Sequence, residues 1–197
     1  MKTNVKIIGT THLMNREEIE SILKLEKPDV IGVELCNTRL NMMVINKPQE
    51  LKQDDSLIGK IANAVKKKAD EQKIEYGSDM ITASHYALDN KIPLVLCDMD
   101  ILVIRELMEK IPENEKIGFL TELSNFEQQS LSKEVNEEET LKQLKSKYPI
   151  AFEFLITLRN KEIENNILKS ILKYPKKNIL IFLGKGHVKE IASNIEW

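Results

Sequence analysis

The sequence predicts an α/β domain with a parallel or mixed central sheet, crossover helices, and a helical insertion or lid in its C-terminal half. Four short apolar runs, rich in β-branched residues, are separated by stretches with helical periodicity. The runs are continuous rather than alternating in hydrophobicity, which is typical of strands that are covered on both faces. Gly9, Gly184 and Gly186 follow such runs, and a tight strand-to-helix turn favours a residue without Cβ.

The predicted strands have a consequence for function as well as for fold. They lie at residues 5–8, 30–33, 94–97 and 179–183. Strands that alternate with helices are joined by crossover connections, so neighbouring strands are expected to be mostly parallel. Ligands of such sheets bind outside the carboxyl ends of the strands. The strand positions therefore predict where a functional site lies.

The predicted helices follow from capping signals and apolar spacing. Asn15 is expected to cap the first helix, Glu18 to complete the capping box, and Pro28 to end the helix. Further helices are predicted at residues 57–73, 79–90 and 187–195.

The chain is expected to be a single domain over residues 1–197, because this length fits one core better than two. Within it, residues 101–175 are predicted to form a mainly helical insertion with breaks at Pro112 and Pro149. The stretch 114–147 is rich in Glu, Gln, Ser and Lys, and is the part interpreted as an insertion or lid.

Composition excludes some classes of function. Aromatic residues make up 5% of the chain, the formal net charge is −2 and the isoelectric point is near 6.0, so a nucleic-acid partner is not expected. The longest apolar runs are far shorter than the roughly 20 residues that cross a bilayer, so no membrane span is expected. Two cysteines and no secretory signal at the start indicate reduced thiols and a cytoplasmic location.

Residues able to bind metal or move protons follow each predicted strand. The strands lead into Gly9-Thr10-Thr11-His12, Glu34, Asp98-Met99-Asp100 and Gly184-Lys185-Gly186-His187. The first and last segments share the pattern of an apolar strand followed by Gly-x-x-His. Neutral imidazole is the commonest metal ligand and a good general base, and a nearby carboxylate can complete a metal site or activate water. The hydroxyls of Thr10 and Thr11 are candidates to bind a substrate oxygen.

Several alternatives stay open at this stage. Glu34 lies in an apolar stretch, so it is expected to pair with His12, His187, Arg39 or a metal ion. A pairing with Arg39 alone would make it a structural ion pair. Asp98 is either a site residue or the cap of the following helix.

The two remaining candidate functional residues also have structural interpretations. Cys36 is a conceivable nucleophile, although a free cysteine is more often a small buried apolar residue. The third histidine, His85, is interpreted as structural.

The ordered motifs resemble the TraB/PrgY family, which includes pheromone-shutdown proteins and TIKI-like proteases. The resemblance rests on Ile7-Ile8-Gly9-Thr10-Thr11-His12, Gly184-Lys185-Gly186-His187-Val188, Arg159-Asn160 and residues 27–36, 39–40, 77–80 and 94–98. It spans nearly the whole chain and implies an α/β domain. For the TIKI-like branch it also implies a metal-dependent peptidase whose active centre corresponds to His12, His187 and Glu34. The resemblance further suggests Arg159 as a site arginine able to hold a carboxylate bidentately.

The resulting expectation is a metal-assisted hydrolase acting on a peptide or a small amide or ester. His12, His187 and Glu34 would bind manganese, cobalt or zinc, with Glu34 as general base or third ligand. The predicted substrate-binding residues are Thr10, Thr11, Arg39, Arg159 and Lys185, the last at developing oxyanion charge. The alternatives are a non-catalytic binder of a peptide, haem or another small ligand, and a metal-free esterase with His12 as base. A homodimer through the charged helices between residues 101 and 174 also stays open.

Overall fold

The computed structural model describes residues 3–10, 14–45, 77–130 and 137–194. The elements in chain order are β1 (Asn4–Thr10), α1 (Arg16–Glu26), β2 (Val30–Val33), α2 (Asn37–Leu40), α3 (Ser78–Asp89), β3 (Leu94–Leu96), α4 (Ile101–Glu109), α5 (Glu113–Ser130), α6 (Glu137–Lys147), α7 (Pro149–Phe152), α8 (Leu158–Lys173), β4 (Asn178–Gly184) and α9 (Lys185–Asn194). Two π-helical turns, Asn41–Ile45 and Glu153–Thr157, follow α2 and precede α8. The helix predicted at residues 57–73 lies outside the described residues.

The four strands form one sheet in the order β1-β4-β2-β3, and every neighbouring pair is parallel. This confirms the predicted α/β class with crossover helices. Thr10 pairs with Gly184, and Val33 pairs with both Phe182 and Leu96. Because parallel strands share one direction, the residues that follow them meet at one edge of the sheet.

Both faces of the sheet are covered, which explains the continuous apolar runs. On one face, Ile31 and Phe182 pack with buried residues of α1 and α3. On the other face, Ile179 and Ile181 pack with buried residues of α8 and α9. Successive strand residues therefore point into two different cores, and neither face tolerates regular polar positions.

The start of α1 confirms the predicted cap. Asn15 Oδ1 accepts the Glu18 backbone N–H at 2.9 Å, and Glu18 Oε2 accepts the Asn15 N–H at 3.0 Å. The helix ends at Glu26, and Lys27 adopts the left-handed conformation with φ 45° directly before Pro28. The reversal at Lys27 turns the chain toward β2.

The helices after β3 belong to two different cores. Buried residues of α4 to α7, among them Phe119 and Leu144, form a cluster of their own. By contrast, α8 covers the sheet. The expected breaks occur, since α5 begins just after Pro112 and α7 begins at Pro149. The boundaries 101–175 and a lid function stay predictions.

The predicted tight strand-to-helix turn is present at Gly184, because β4 ends at this residue and α9 begins at Lys185. Gly9 lies inside β1, Gly184 ends β4, and Gly186 lies in the first turn of α9. Among the described glycines only Gly77 has a left-handed φ. A Cβ on Gly9 would lie 3.2 Å from a Val188 methyl group, so the absence of a side chain allows α9 to pack closely on β1.

Candidate active site

Three side chains converge at the carboxyl edge of the sheet. Glu34 directly follows β2, Asp98 follows β3 by two residues, and His187 lies in the first turn of α9 after β4. All three are buried. Burying two carboxylates and an imidazole together is unfavourable unless positive charges or N–H donors surround them.

Arg159 provides much of this compensation. Its Nε donates to Asp98 Oδ1 at 3.0 Å, and its Nη2 donates to Asp98 Oδ2 at 2.9 Å and to Glu34 Oε1 at 2.7 Å. Burial opposes the charge of the guanidinium, but the charges of Asp98 and Glu34 outweigh burial and raise the pKa of Arg159 above its ordinary value. The bidentate geometry suggested for Arg159 is therefore present, with a carboxylate of the protein itself.

Arg39 binds the same acid from the other side. Its Nη1 donates to Asp98 Oδ2 at 3.1 Å and to the Glu34 backbone carbonyl at 3.3 Å. Arg39 and Arg159 each adjoin one of the two π-helical turns, a feature that often occurs at functional sites. Both arginines were predicted to bind substrate, and in the structure both bind Asp98.

Asp98 belongs to this network and does not cap α4. The cap is Asp100, whose Oδ1 accepts the Leu102 backbone N–H at 2.9 Å. Asp98 Oδ1 instead accepts the Met99 N–H at 2.8 Å in addition to the bond from Arg159. The capping alternative is therefore wrong for Asp98.

Glu34 has a different partner on each carboxylate oxygen. Oε2 accepts the Gly184 backbone N–H at 2.6 Å, and Oε1 accepts from Arg159 and lies 3.5 Å from His187 Nε2. The expected partner His187 is therefore adjacent. Arg39 donates to the backbone carbonyl of Glu34, whereas Arg159 and His187 lie at its carboxylate, so a pairing of Glu34 with Arg39 alone is wrong.

His187 is oriented by Asn160 and Glu190, two residues to which the sequence analysis assigned no site role, although Asn160 belongs to the Arg159-Asn160 motif. The Nδ1 of His187 lies 2.5 Å from Asn160 Oδ1, and Asn160 Nδ2 donates to Glu190 Oε2 at 2.6 Å. Glu190 follows His187 by three residues on α9, a spacing that places both on one helical face and offered a signal. Asn160 lies 27 residues before His187, and no local pattern connects them.

The first Gly-x-x-His segment is only partly described. Thr11 and His12 lie outside the described residues, so the convergence of His12 with His187 stays a prediction. Thr10 is 1% exposed, and its Oγ1 has no hydrogen-bond partner among the described residues. Lys185 is exposed at the start of α9, and among the described residues a Cβ on Gly186 would meet no atom within 4 Å apart from its neighbours on the same helix. The backbone at Gly186 therefore borders open space.

The remaining candidates lie in two kinds of surroundings. His85 is exposed on α3, whereas Cys36 and Cys97 are both buried. Burial, with a contribution from the charges of Asp98 and Glu34, raises the pKa of the Cys97 thiol to about 12. The thiol of Cys97 is therefore not a nucleophile near neutral pH. A nucleophilic role for Cys36 stays a prediction.

The donor set of the site can be compared with a metal centre. The described residues contain no group of three or more His, Cys, Asp or Glu side chains arranged around one ion. They do bring together His187 Nε2 and Glu34 Oε1. Of the three ligands implied by the resemblance, the structure thus places two side by side, and the third is His12.

Comparison with known proteins gives one relative and no function. No family model matches the chain. The uncharacterized protein MJ1365 of Methanocaldococcus jannaschii is 28% identical to this chain over an alignment that is 210 positions long and covers 96% of this chain. The chain spans about half of that relative, since the alignment covers 52% of its length. The resemblance to the TraB/PrgY family stays a prediction.

In the parts of the chain that the structure describes, no helix is both long enough and apolar enough to cross a bilayer. The cytoplasmic location, the homodimer and the peptide or small-molecule ligand stay predictions.

Proposed function

We propose that this chain is a metal-dependent hydrolase acting on a peptide or a small amide or ester, with its reaction centre at the carboxyl edge of the sheet. One observation carries the proposal: His187 Nε2 lies 3.5 Å from Glu34 Oε1. When Asn160 Oδ1 accepts a hydrogen bond from the N–H of His187 Nδ1, Nε2 of the neutral ring bears a lone pair. Two atoms with lone pairs facing each other favour a cation or a proton between them.

The separation of these atoms fits a shared metal ion. Zn–N bonds of about 2.0–2.1 Å and Zn–O bonds of about 2.0–2.2 Å at a tetrahedral angle place two ligand atoms about 3.4 Å apart. The bond between Asn160 and His187 is the kind of outer contact that orients a metal-ligating imidazole. His187 and Glu34 would hold the ion, with His12 as the third ligand that the sequence suggests. A bound ion would supply Lewis acidity toward a carbonyl oxygen and an acidified water.

The chain's own groups would position the reactants. Gly184 N–H and Arg159 hold the Glu34 carboxylate in place, so that it does not rotate away when a substrate enters. The N-terminus of α9 presents backbone N–H groups, which would favour a substrate carboxylate or oxyanion nearby. The hydroxyl of Thr10 is a further donor for a substrate oxygen.

A second candidate is a metal-free hydrolase, and the hydrogen bonds that the Glu34 carboxylate already accepts favour it. Both oxygens of Glu34 already accept N–H groups, which lowers their availability to a metal. In this candidate His187 is the general base, Asn160 fixes its ring, and Glu34 stabilises the imidazolium that forms. The two candidates differ in their response to chelators.

The experiment combines metal analysis with turnover. Purified protein is stripped with chelator, titrated with manganese, cobalt or zinc by calorimetry, and assayed by mass spectrometry on panels of peptides, amides and esters. We expect His187→Asn and Glu34→Gln to weaken metal binding by more than about 100-fold, since outer contacts alone account for 10–100-fold. The matched control is His85→Asn, because His85 is exposed on α3, whereas His187 is buried at the carboxyl edge of the sheet.

Three results would replace the proposal. Ester or amide cleavage that survives complete chelation would favour the metal-free hydrolase. Tight peptide binding without any product, or a Soret band on haem titration, would establish a binding protein instead. Metal binding and turnover that are unchanged in His187→Asn would remove this site from either reaction.

A further inference from the structure

We propose that Asn160 and Glu190 are positioning residues that hold His187 in the Nδ1-protonated tautomer and thereby direct its Nε2 lone pair toward Glu34. This inference deepens the proposed function and rests on it for its purpose, although its geometry is independent of any reaction. Neither residue touches the predicted reacting atoms. Each acts through His187.

The side-chain amide of Asn160 lies between His187 and Glu190. Its two ends make different contacts: one lies 2.5 Å from His187 Nδ1, and the other lies 2.6 Å from Glu190 Oε2. An amide can turn over and exchange its oxygen and nitrogen, so the contact to His187 alone does not fix which atom faces the ring. The choice depends on the second contact.

The contact with Glu190 fixes the orientation of the Asn160 amide. A carboxylate accepts hydrogen bonds and donates none, so the amide end 2.6 Å from Glu190 has to be the NH₂ group. The opposite orientation would place the Asn160 oxygen against the carboxylate oxygen, which is strongly repulsive at that distance. The amide oxygen therefore faces His187 Nδ1, and Nδ1 must carry the proton.

The surrounding structure makes this arrangement rigid. Asn160 is 1% exposed on the first turn of α8, and His187 is 6% exposed on the first turn of α9. Both helices pack on the same face of the sheet. With Nδ1 protonated, the neutral ring presents Nε2 as an acceptor next to Glu34 Oε1. This is the form that a metal ligand or a general base needs.

The test reads the tautomer directly by ¹⁵N NMR of the imidazole rings in chelator-treated protein, at a pH where the rings are neutral. The chain has only three histidines, and the His187 signals are those that disappear in His187→Asn. In the wild type we expect a pyrrole-type Nδ1 and a pyridine-type Nε2. In Glu190→Leu the amide is free to turn over, and we expect the Nε2-protonated form to appear. Glu190→Asp keeps an acceptor that cannot donate and should shift the spectrum back toward that of the wild type, whereas the amide of Glu190→Gln can donate as well as accept and should not restore it.

A matched control lies between the same two helices. Glu164 Oε1 accepts from Asn194 Nδ2 at 2.7 Å, so it makes the same kind of bond without touching His187. Glu164→Leu should leave the His187 tautomer unchanged. Glu190→Leu removes an exposed residue and is expected to fold, whereas the buried Asn160→Leu serves as a second variant that removes the acceptor itself.

The outcomes separate this inference from the proposed function. An Nε2-protonated His187 in the wild type, or a Glu190→Leu spectrum identical to that of the wild type, overturns the inference even if the protein hydrolyses amides. The expected tautomer with its loss in Glu190→Leu and recovery in Glu190→Asp supports the inference even if no substrate is cleaved, in which case only the proposed function fails.

Discussion

Replacing Arg159 by methionine tests the energetics of the whole site. The guanidinium is the shared partner of two carboxylates, and the side chains of Asp98 and Glu34 are 0% and 4% exposed. Methionine fills much of the same volume and removes the charge and all three hydrogen bonds to these acids. The variant therefore leaves two buried negative charges without their common cation.

The size of the loss in stability depends on the hydrogen-bond donors that remain for the two acids. Breaking a buried ion pair by removing one partner lowers the free energy of unfolding by about 3–5 kcal/mol. Arg39 still donates to Asp98, and Gly184 still donates to Glu34, so neither acid is left entirely without a donor. We therefore expect a loss near the lower limit, about 3 kcal/mol.

The assay is urea denaturation followed by far-UV circular dichroism at neutral pH. The matched control is Arg16→Met, because Arg16 pairs with Glu20 on the exposed face of α1 and such i,i+4 pairs contribute about 0.3–0.5 kcal/mol. Arg159→Lys should recover part of the loss, since an ammonium cannot form the bidentate contact with Asp98. A loss in Arg159→Met no larger than that in Arg16→Met would refute the view that this network is buried and coupled.

Four further perturbations have expected outcomes. Ser84→Ala should raise the free energy of unfolding by about 1 kcal/mol, because the buried Ser84 hydroxyl has no hydrogen-bond partner among the described residues. Gly9→Ala should lower it by about 1–3 kcal/mol, since the new Cβ would crowd α9. Gly186→Ala, with open space at its Cβ, should leave it unchanged or raise it by up to about 1 kcal/mol. Because folding raises the pKa of Cys97 from 9.0 to about 12, the unfolded thiol ionises first as pH rises. The folded state should then lose about 1.4 kcal/mol per pH unit between these values, a contribution that is absent in Cys97→Ala.

Each of these outcomes can be contradicted by a simple measurement. If thermal or urea unfolding shows that Gly9→Ala is more stable than Gly186→Ala, then close packing of α9 is not the reason for the glycine at position 9. A destabilised Ser84→Ala would show that the hydroxyl has a favourable contact. Rapid reaction of native Cys97 with a thiol reagent at pH 9, at the rate of the unfolded chain, would contradict its raised pKa.

Part of the site could be predicted from the sequence because its cause is local. The apolar runs ending in Glu34 and in Gly184 predict strands, and parallel strands bring the residues after them to one edge. His187 was identified because a strand, a glycine and a histidine follow each other within a few residues. The cap at Asn15 was equally visible, since its partner lies three residues away.

The rest depended on contacts between distant parts of the chain. Arg159 reaches Glu34 across 125 residues and Asp98 across 61, and nothing near any of the three indicates that the acids share one arginine. Asp100 caps α4 in place of Asp98, since Asp98 is held in the buried network.

The sequence by itself predicted the four strands, several helices, a parallel or mixed sheet and the edge at which polar residues gather, because strand, helix and cap signals act over a few residues. Only the tertiary structure decided which base meets which acid, and why Gly9 carries no side chain. Those properties depend on strand register and on how closely α8 and α9 pack on the sheet. Register and packing are set by the shape of the whole core, in which a shift of one residue reverses every side chain from one face to the other.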